Sequence, residues 1–105
     1  MFGFIHSVPN DEIIDNPGVV ERIWDELGTE PLAGCLLHLA VQRADGTFQN
    51  IDVWENEESF AVAMRERIEP ATERGFGPGN HPVHVGPPPI EMITVVHGTG
   101  MAFRV

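Results

Sequence analysis

Hydrophobic spacing along the chain switches between a period near two and a period near 3.6, and the switches predict strand, helix, strand, strand, helix, strand. Phe2 to Val8 is aromatic and aliphatic with one histidine, and Pro9-Asn10 closes it as a first strand. Asn16 before Pro17 has the order of a helix N-cap and first-turn proline. Val20, Ile23, Trp24 and Leu27 follow at i, i+3, i+4 and i+7, and Gly28 is placed to end that helix.

Gly34 to Glu55 holds two runs of strand formers joined by Asp45-Gly46, a hairpin signal. With that pair at the two central turn positions, Ala44 faces Thr47. His38 then stands opposite Val53, Leu39 opposite Asp52 and Ala40 opposite Ile51. That register puts His38, Ala40, Ile51 and Val53 on one face, and Leu37, Leu39, Val41, Asp52 and Trp54 on the other.

Asn56 can cap a second helix, with Glu57 and Glu58 at its positive end and Phe60, Met64, Ile68 and Ala71 forming its apolar stripe. Pro70 is expected to kink or end it, and Gly75 to stop it. Residues 75–89 contain four glycines and five prolines in fifteen positions and read as a loop. Ile90 to His97 returns to strand composition, and 98–105 is a tail suited to pair with a sheet edge or another subunit.

This order implies an α+β, ferredoxin-like βαββαβ domain spanning residues 1–105, with a four-stranded antiparallel sheet and both helices on one face. A sheet with one solvated face should alternate apolar and polar residues. Here Phe4 and Ile5, Leu36 and Leu37, and Ile93 and Val95 against Met92 and Val96 are apolar on both parities. The face left bare by the helices therefore calls for a second copy of the chain, giving a homodimer with a barrel-like interior.

Charge narrows the partners. The 105 residues carry 6 basic and 16 acidic side chains, a net charge of −10, and every basic residue is an arginine scattered among carboxylates. Nucleic acid and anionic membranes are disfavoured as partners. Without lysine there is no Schiff-base chemistry, and without tyrosine no phenolic acid. A lone cysteine, Cys35, excludes an intrachain disulfide, and the start Met-Phe-Gly-Phe-Ile-His has neither a basic n-region nor a cleavage site. The expected setting is cytoplasmic.

Leu32-Ala-Gly-Cys-Leu-Leu-His-Leu-Ala, Ala44-Asp-Gly-Thr, Ile51-Asp-Val-Trp-Glu-Asn-Glu-Glu-Ser-Phe, Arg67-Ile-Glu-Pro and the closing Val95-Val96-His97 together resemble the dimeric α/β-barrel superfamily, in particular antibiotic biosynthesis monooxygenase (ABM)-like domains. The resemblance runs over about residues 2 to 97 in element order, and its sharp part is the hairpin and second helix. It implies a dimeric α/β barrel whose cleft between sheet and helices takes a small molecule. Cofactor-free quinol oxygenases of the superfamily use an asparagine, a tryptophan and an arginine, which Asn50, Trp54 and one arginine could imitate. Haem-degrading relatives carry a first-strand asparagine and a tryptophan and histidine on the second helix. The second helix here has neither, and the first strand carries His6 instead, which disfavours haem degradation.

Three of the five histidines, His6, His38 and His97, fall in expected strands, where an imidazole held rigidly suits proton transfer. His38 and His97 are the expected proton-transferring pair, with His6 as a third. Asn50, Asp52 and Trp54 could hold a planar phenolic ligand; in the structural alternative Trp54 fills the core and Asp52 makes a hydrogen bond or ion pair. Trp24, Phe60 and Met64 either line the cleft or pack it shut. Arg43, Arg65 and Arg67 read as surface partners of nearby glutamates. Cys35 reads as a small buried apolar residue, and His81-Pro82-Val83-His84 as a loop, with no metal expected. The sequence thus points to a small dimeric enzyme on an aromatic or polyketide-like molecule, either a monooxygenase without a tightly held cofactor or an acid/base cyclase. The competing reading is a non-catalytic small-molecule-binding or structural dimer of the same fold.

Overall fold

The computed structural model describes residues 1–8, 18–77, 79 and 90–98. Strand β1 (Phe2–Val8) leads to helix α1 (Val19–Leu27), strands β2 (Cys35–Gln42) and β3 (Phe48–Trp54), helices α2 (Glu57–Ala63) and α3 (Glu69–Phe76), and strand β4 (Ile90–Ile93). The sheet order is β2-β3-β1-β4 with antiparallel neighbours throughout, the α+β ferredoxin-like arrangement.

The hairpin closes one residue differently from the expectation. Arg43 and Thr47 form its last pair, with Arg43 N–H donating to the Thr47 carbonyl at 2.8 Å, so the loop is Ala44-Asp45-Gly46. Two features build it. Gly46 takes φ 89°, a left-handed conformation that glycine adopts without penalty. The Asp45 carboxylate accepts from both the N–H (3.0 Å) and the hydroxyl (2.6 Å) of Thr47, and these bonds hold its pKa below the usual value. A three-residue hairpin loop with a left-handed glycine results.

Because side chains alternate with period two, this slip of one exchanges faces along β2. His38 stands opposite Asp52, Leu39 opposite Ile51 and Ala40 opposite Asn50. His38 thus shares a face with Asp52 and Trp54, where the two-residue turn separates them. A register shift between Cys35 and Leu37 sets Cys35 opposite Trp54 and leaves Leu36 53% exposed.

Both helical layers lie on that same face. Phe60 of α2 packs on Phe2, Phe4 and Trp54 with ring centroids 5.6, 4.8 and 5.4 Å apart, and Trp24 of α1 packs on His38. The opposite face carries Ile5, Leu37, Leu39, Val41, Ile51, Val53 and Ile93, half-buried apart from the buried Val53.

Helix α1 ends at Gly28 as its sequence predicts, with Gly28 N–H donating to the Trp24 carbonyl; Asn16 and Pro17 lie outside the described residues. Asn56 caps α2 by accepting from Ser59 N–H at 2.8 Å. Pro70 does not end the helical stretch. A π turn over Met64–Ile68 precedes it, in which Glu69 N–H reaches back to the Met64 carbonyl, and the wider turn accommodates a residue that has no N–H and a bulky ring. Gly75 does not stop it either: α3 runs to Phe76 and Gly77 caps it. The expected 75–89 loop therefore starts later; residues 78 and 80–89, with His81 and His84, and the tail from 99 lie outside the described residues.

Arginines fix the helices to one another. Arg22 Nε–H donates to the Gly75 carbonyl at 3.0 Å, and Arg74 pairs with Glu26 at 2.8 Å. Arg67, expected beside a glutamate, instead donates to the carbonyls of Leu27 (3.1 Å) and Pro31 (3.0 Å), satisfying acceptors left over where α1 ends.

Candidate functional site

The sheet's helix-side face is ordered in rows by the strand register. One row is His38, Asp52, Phe4 and Met92; the next is Ala40, Asn50, His6 and Ile90. Chemistry-bearing side chains of three strands thus share the helix-side face.

In the first row, His38 Nδ1 lies 2.8 Å from Asp52 Oδ1. The other oxygen, Oδ2, accepts from Trp54 Nε1–H at 3.0 Å. Asp52 is 4% exposed and Trp54 wholly buried, so a carboxylate is held in the interior by one donor on each oxygen. A carboxylate only accepts, and the proton of the His38 imidazole therefore sits on Nδ1. Nε2 is left with its lone pair. It is shielded from solvent and has no hydrogen-bond partner among the described residues. Over the imidazole lies the Trp24 ring, 4.5 Å between centroids and tilted by 54°.

This arrangement can take up a proton. A carboxylate behind Nδ1 fixes the tautomer, orients the ring and stabilises the imidazolium formed when Nε2 accepts a proton. In the second row, Asn50 Nδ2 and His6 Nδ1 are 3.5 Å apart, a long contact between two half-buried groups.

The sequence-derived candidates divide on this geometry. His38, Asp52, Trp54 and Trp24 come together, with Phe60 behind them and His6 and Asn50 in the adjoining row. Trp54 offers no ring face to a ligand, being buried with its N–H on Asp52. Met64 is half-buried in the π turn. β4 ends at Ile93, so His97 lies outside the strand expected to carry it, and it is exposed. Thr94 to His97 have strand-like composition but lie outside β4.

Cys35 keeps its reading as a small apolar residue, half-buried against the cluster of Phe4, Trp54 and Ala63. Burial first, and then the charge of Asp52, push its thiol above the usual pKa, so it is held as an unreactive neutral group beside the carboxylate. In the strand register Cys35 pairs with Trp54.

A groove of about 330 Å³ lies elsewhere, between Leu32-Ala33 and helix α2, lined also by Asn56, Ser59, Val62 and Arg67. It contains no histidine and is unrelated to the His38–Asp52 pair. Among the described residues no group of three or more histidine, cysteine, aspartate or glutamate side chains is placed to hold a metal ion, and no described helix is long and apolar enough to cross a membrane.

No family model matches the chain, and no curated protein matches it. Among solved structures it is similar to a protein from Chloroflexus aurantiacus J-10-fl assigned provisionally as an antibiotic biosynthesis monooxygenase. The match covers 94% of this chain and 93% of that one, with a TM-score of 0.58 and 18% sequence identity. At that identity the two chains share a fold, the one that the hairpin and second helix resemble, and residue roles do not transfer.

Proposed function

We propose that the protein is a small homodimeric acid–base enzyme acting on an aromatic or polyketide-like molecule, with His38 as general base and Asp52 as the group that orients it. The observation that carries this reading is the 2.8 Å His38–Asp52 contact together with the unpartnered, buried Nε2. Nε2 removes a proton from a phenolic O–H or from a carbon between two carbonyls, and Asp52 stabilises the imidazolium. The resulting enolate or phenolate either closes a ring on an internal carbonyl, with Nε2–H returned to the oxygen of the product, or gives one electron to dioxygen. In the second case radical and superoxide then join in a C–O bond, the peroxide takes the proton of Nε2–H, and loss of water across the H–C–O–OH unit breaks the O–O bond and leaves a carbonyl. Proton abstraction is common to cyclase and cofactor-independent monooxygenase, and in this reading His6 and Asn50 of the next row supply polar contacts to the same ligand. Cytoplasmic location suits a chain whose single cysteine can form no intrachain disulfide.

The aliphatic stripe from Ile5 to Ile93 supports self-association, because a face of that composition is best covered by its own copy across a two-fold axis. The test of the catalytic reading is deuterium uptake. Proton NMR of an aryl 1,3-diketone in deuterium oxide should show exchange of its acidic C–H catalysed by the protein, and His38→Ala should lower the rate about 10²–10⁴-fold. An unchanged rate in a folded His38→Ala protein removes the proposal.

A second reading, a non-catalytic binding or structural dimer, is favoured by one feature: Trp24 lies on His38, and Phe60 occupies the space over Phe4 and Trp54. Under it, none of a panel of naphthols and aryl diketones exchanges faster with the protein than without it.

A further inference from the structure

Trp54 has no solvent exposure, yet an indole brings a polar atom that the interior must satisfy. That atom is used: Nε1–H donates to Asp52 Oδ2 at 3.0 Å. Trp54 and Asp52 stand two apart on β3 and so point to the same side of the sheet. Phe60 meets the indole edge-on at 5.4 Å and 65°, and is itself braced by Phe4 at 4.8 Å, so the direction of the N–H is set by packing. A phenyl ring would serve the aromatic cluster here; what the indole adds is the donor.

Asp52 needs that donor for more than burial. A carboxylate can turn about its Cβ–Cγ bond, and His38 Nδ1 engages only Oδ1. With Oδ2 bound to the indole, the carboxylate plane is fixed and Oδ1 is presented to the imidazole. We infer that Trp54 is a positioning residue, which through Asp52 keeps the His38 proton on Nδ1 and its lone pair on Nε2. The inference rests on the reading of His38 as a base, and adds a third member on the far side of the carboxylate.

The experiment needs no substrate. Nitrogen-15 shifts of the His38 ring report which nitrogen carries the proton. In the wild-type protein at a pH where the ring is neutral, Nδ1 is expected to show the protonated type of shift and Nε2 the unprotonated type. In Trp54→Phe, whose ring fills most of the space without the N–H, the two tautomers are expected in comparable amounts. Packing alone would not move this readout. A folded Trp54→Phe protein that retains the Nδ1–H tautomer as fully as the wild type overturns the inference and leaves the His38 base intact. A wild-type ring protonated mainly on Nε2 overturns both, beginning with the base. Should Trp54→Phe fail to fold, His38→Gln is read instead at the Trp54 indole proton. A shift of that resonance, transmitted by the shared carboxylate, supports the coupling, and an unmoved resonance overturns it.

Discussion

Gly75 of α3 lies against the backbone of Ile23 in α1: a methyl group on Gly75 would stand 3.0 Å from Ile23 Cα and N and 2.4 Å from Cγ1. The side chain can turn away, but the backbone contacts require the helices to separate. Gly75→Ala is expected to destabilise the protein by about 1–3 kcal/mol, read as a lower thermal midpoint, and Ile23→Ala should restore only part of the loss. Equal stability of Gly75→Ala and wild type would mean that the crossing is looser than described.

Asn56 anchors the other end of the helical stretch through its bond to Ser59 N–H. Replacing it with alanine frees that donor and should cost about 1 kcal/mol, a fall in thermal midpoint of roughly 4–8 °C for a domain of this size. Asn56→Asp should keep most of the stability, since it accepts the same bond and sits at the positive end of the helix dipole.

Much of this was legible beforehand. Element order, the Asn56 cap, Gly28 as the end of α1 and the apolar character of both sheet faces all follow from local chemistry, and the sheet order follows from them. Pairings decided by tertiary geometry were not. Asp45-Gly46 signals a hairpin, but two- and three-residue loops share that dipeptide, and the choice moved His38 from the aliphatic face to the side of Asp52. Gly75 looked like a helix stop because the sequence does not show that Ile23 approaches it. Pro70 reads as a kink or an end, and only the end is ruled out, because the π turn that accommodates it has no sequence signature of its own.

Trp24 covers His38, and the accessibility of Nε2 should depend on it. With diethyl pyrocarbonate, exposed His97 is expected to react early and His38 slowly in the wild-type protein, as mapped by peptide mass spectrometry. In Trp24→Ala, His38 should join the fast-reacting set. The stability cost should stay below the about 3–5 kcal/mol of truncating a fully buried tryptophan, because Trp24 is only half-buried. Unchanged protection of His38 would mean that something other than the indole shields it.

The alkaline limb of stability has one side chain behind it. The sequence contains no lysine or tyrosine, and arginine stays charged, so Cys35 is the side chain that titrates between about pH 8.5 and 12. Its folded-state pKa is raised by burial and by Asp52. Above about pH 8.5 the unfolded chain loses this proton while the folded protein keeps it, so the folded state binds more protons and stability falls as pH rises. The fall ends at the raised pKa of the folded thiol. Urea midpoints from pH 8 to 11 should decline in the wild type and stay level in Cys35→Ser; equal slopes would disprove the assignment.

Ile51 belongs to the aliphatic face and points away from His38. Ile51→Glu should disperse the proposed dimer, so that sedimentation reports the 11.6 kDa chain in place of a particle of twice that mass. The nitrogen-15 shifts of His38 should survive the change. A wild-type protein that sediments at the mass of one chain at micromolar concentration would defeat the homodimer.

The loop Ala44-Asp45-Gly46 decides to which side of the sheet each β2 side chain belongs. Shortened by one residue, it would send His38 among the aliphatic residues and turn Leu39 toward Trp24. An insertion or deletion at this corner would be inherited as one event with two effects, the loss of the proposed base and the spoiling of the face proposed for self-association. Length at this position is therefore expected to be held more strictly among descendants of this chain than the identity of Ala44, whose side chain points to solvent.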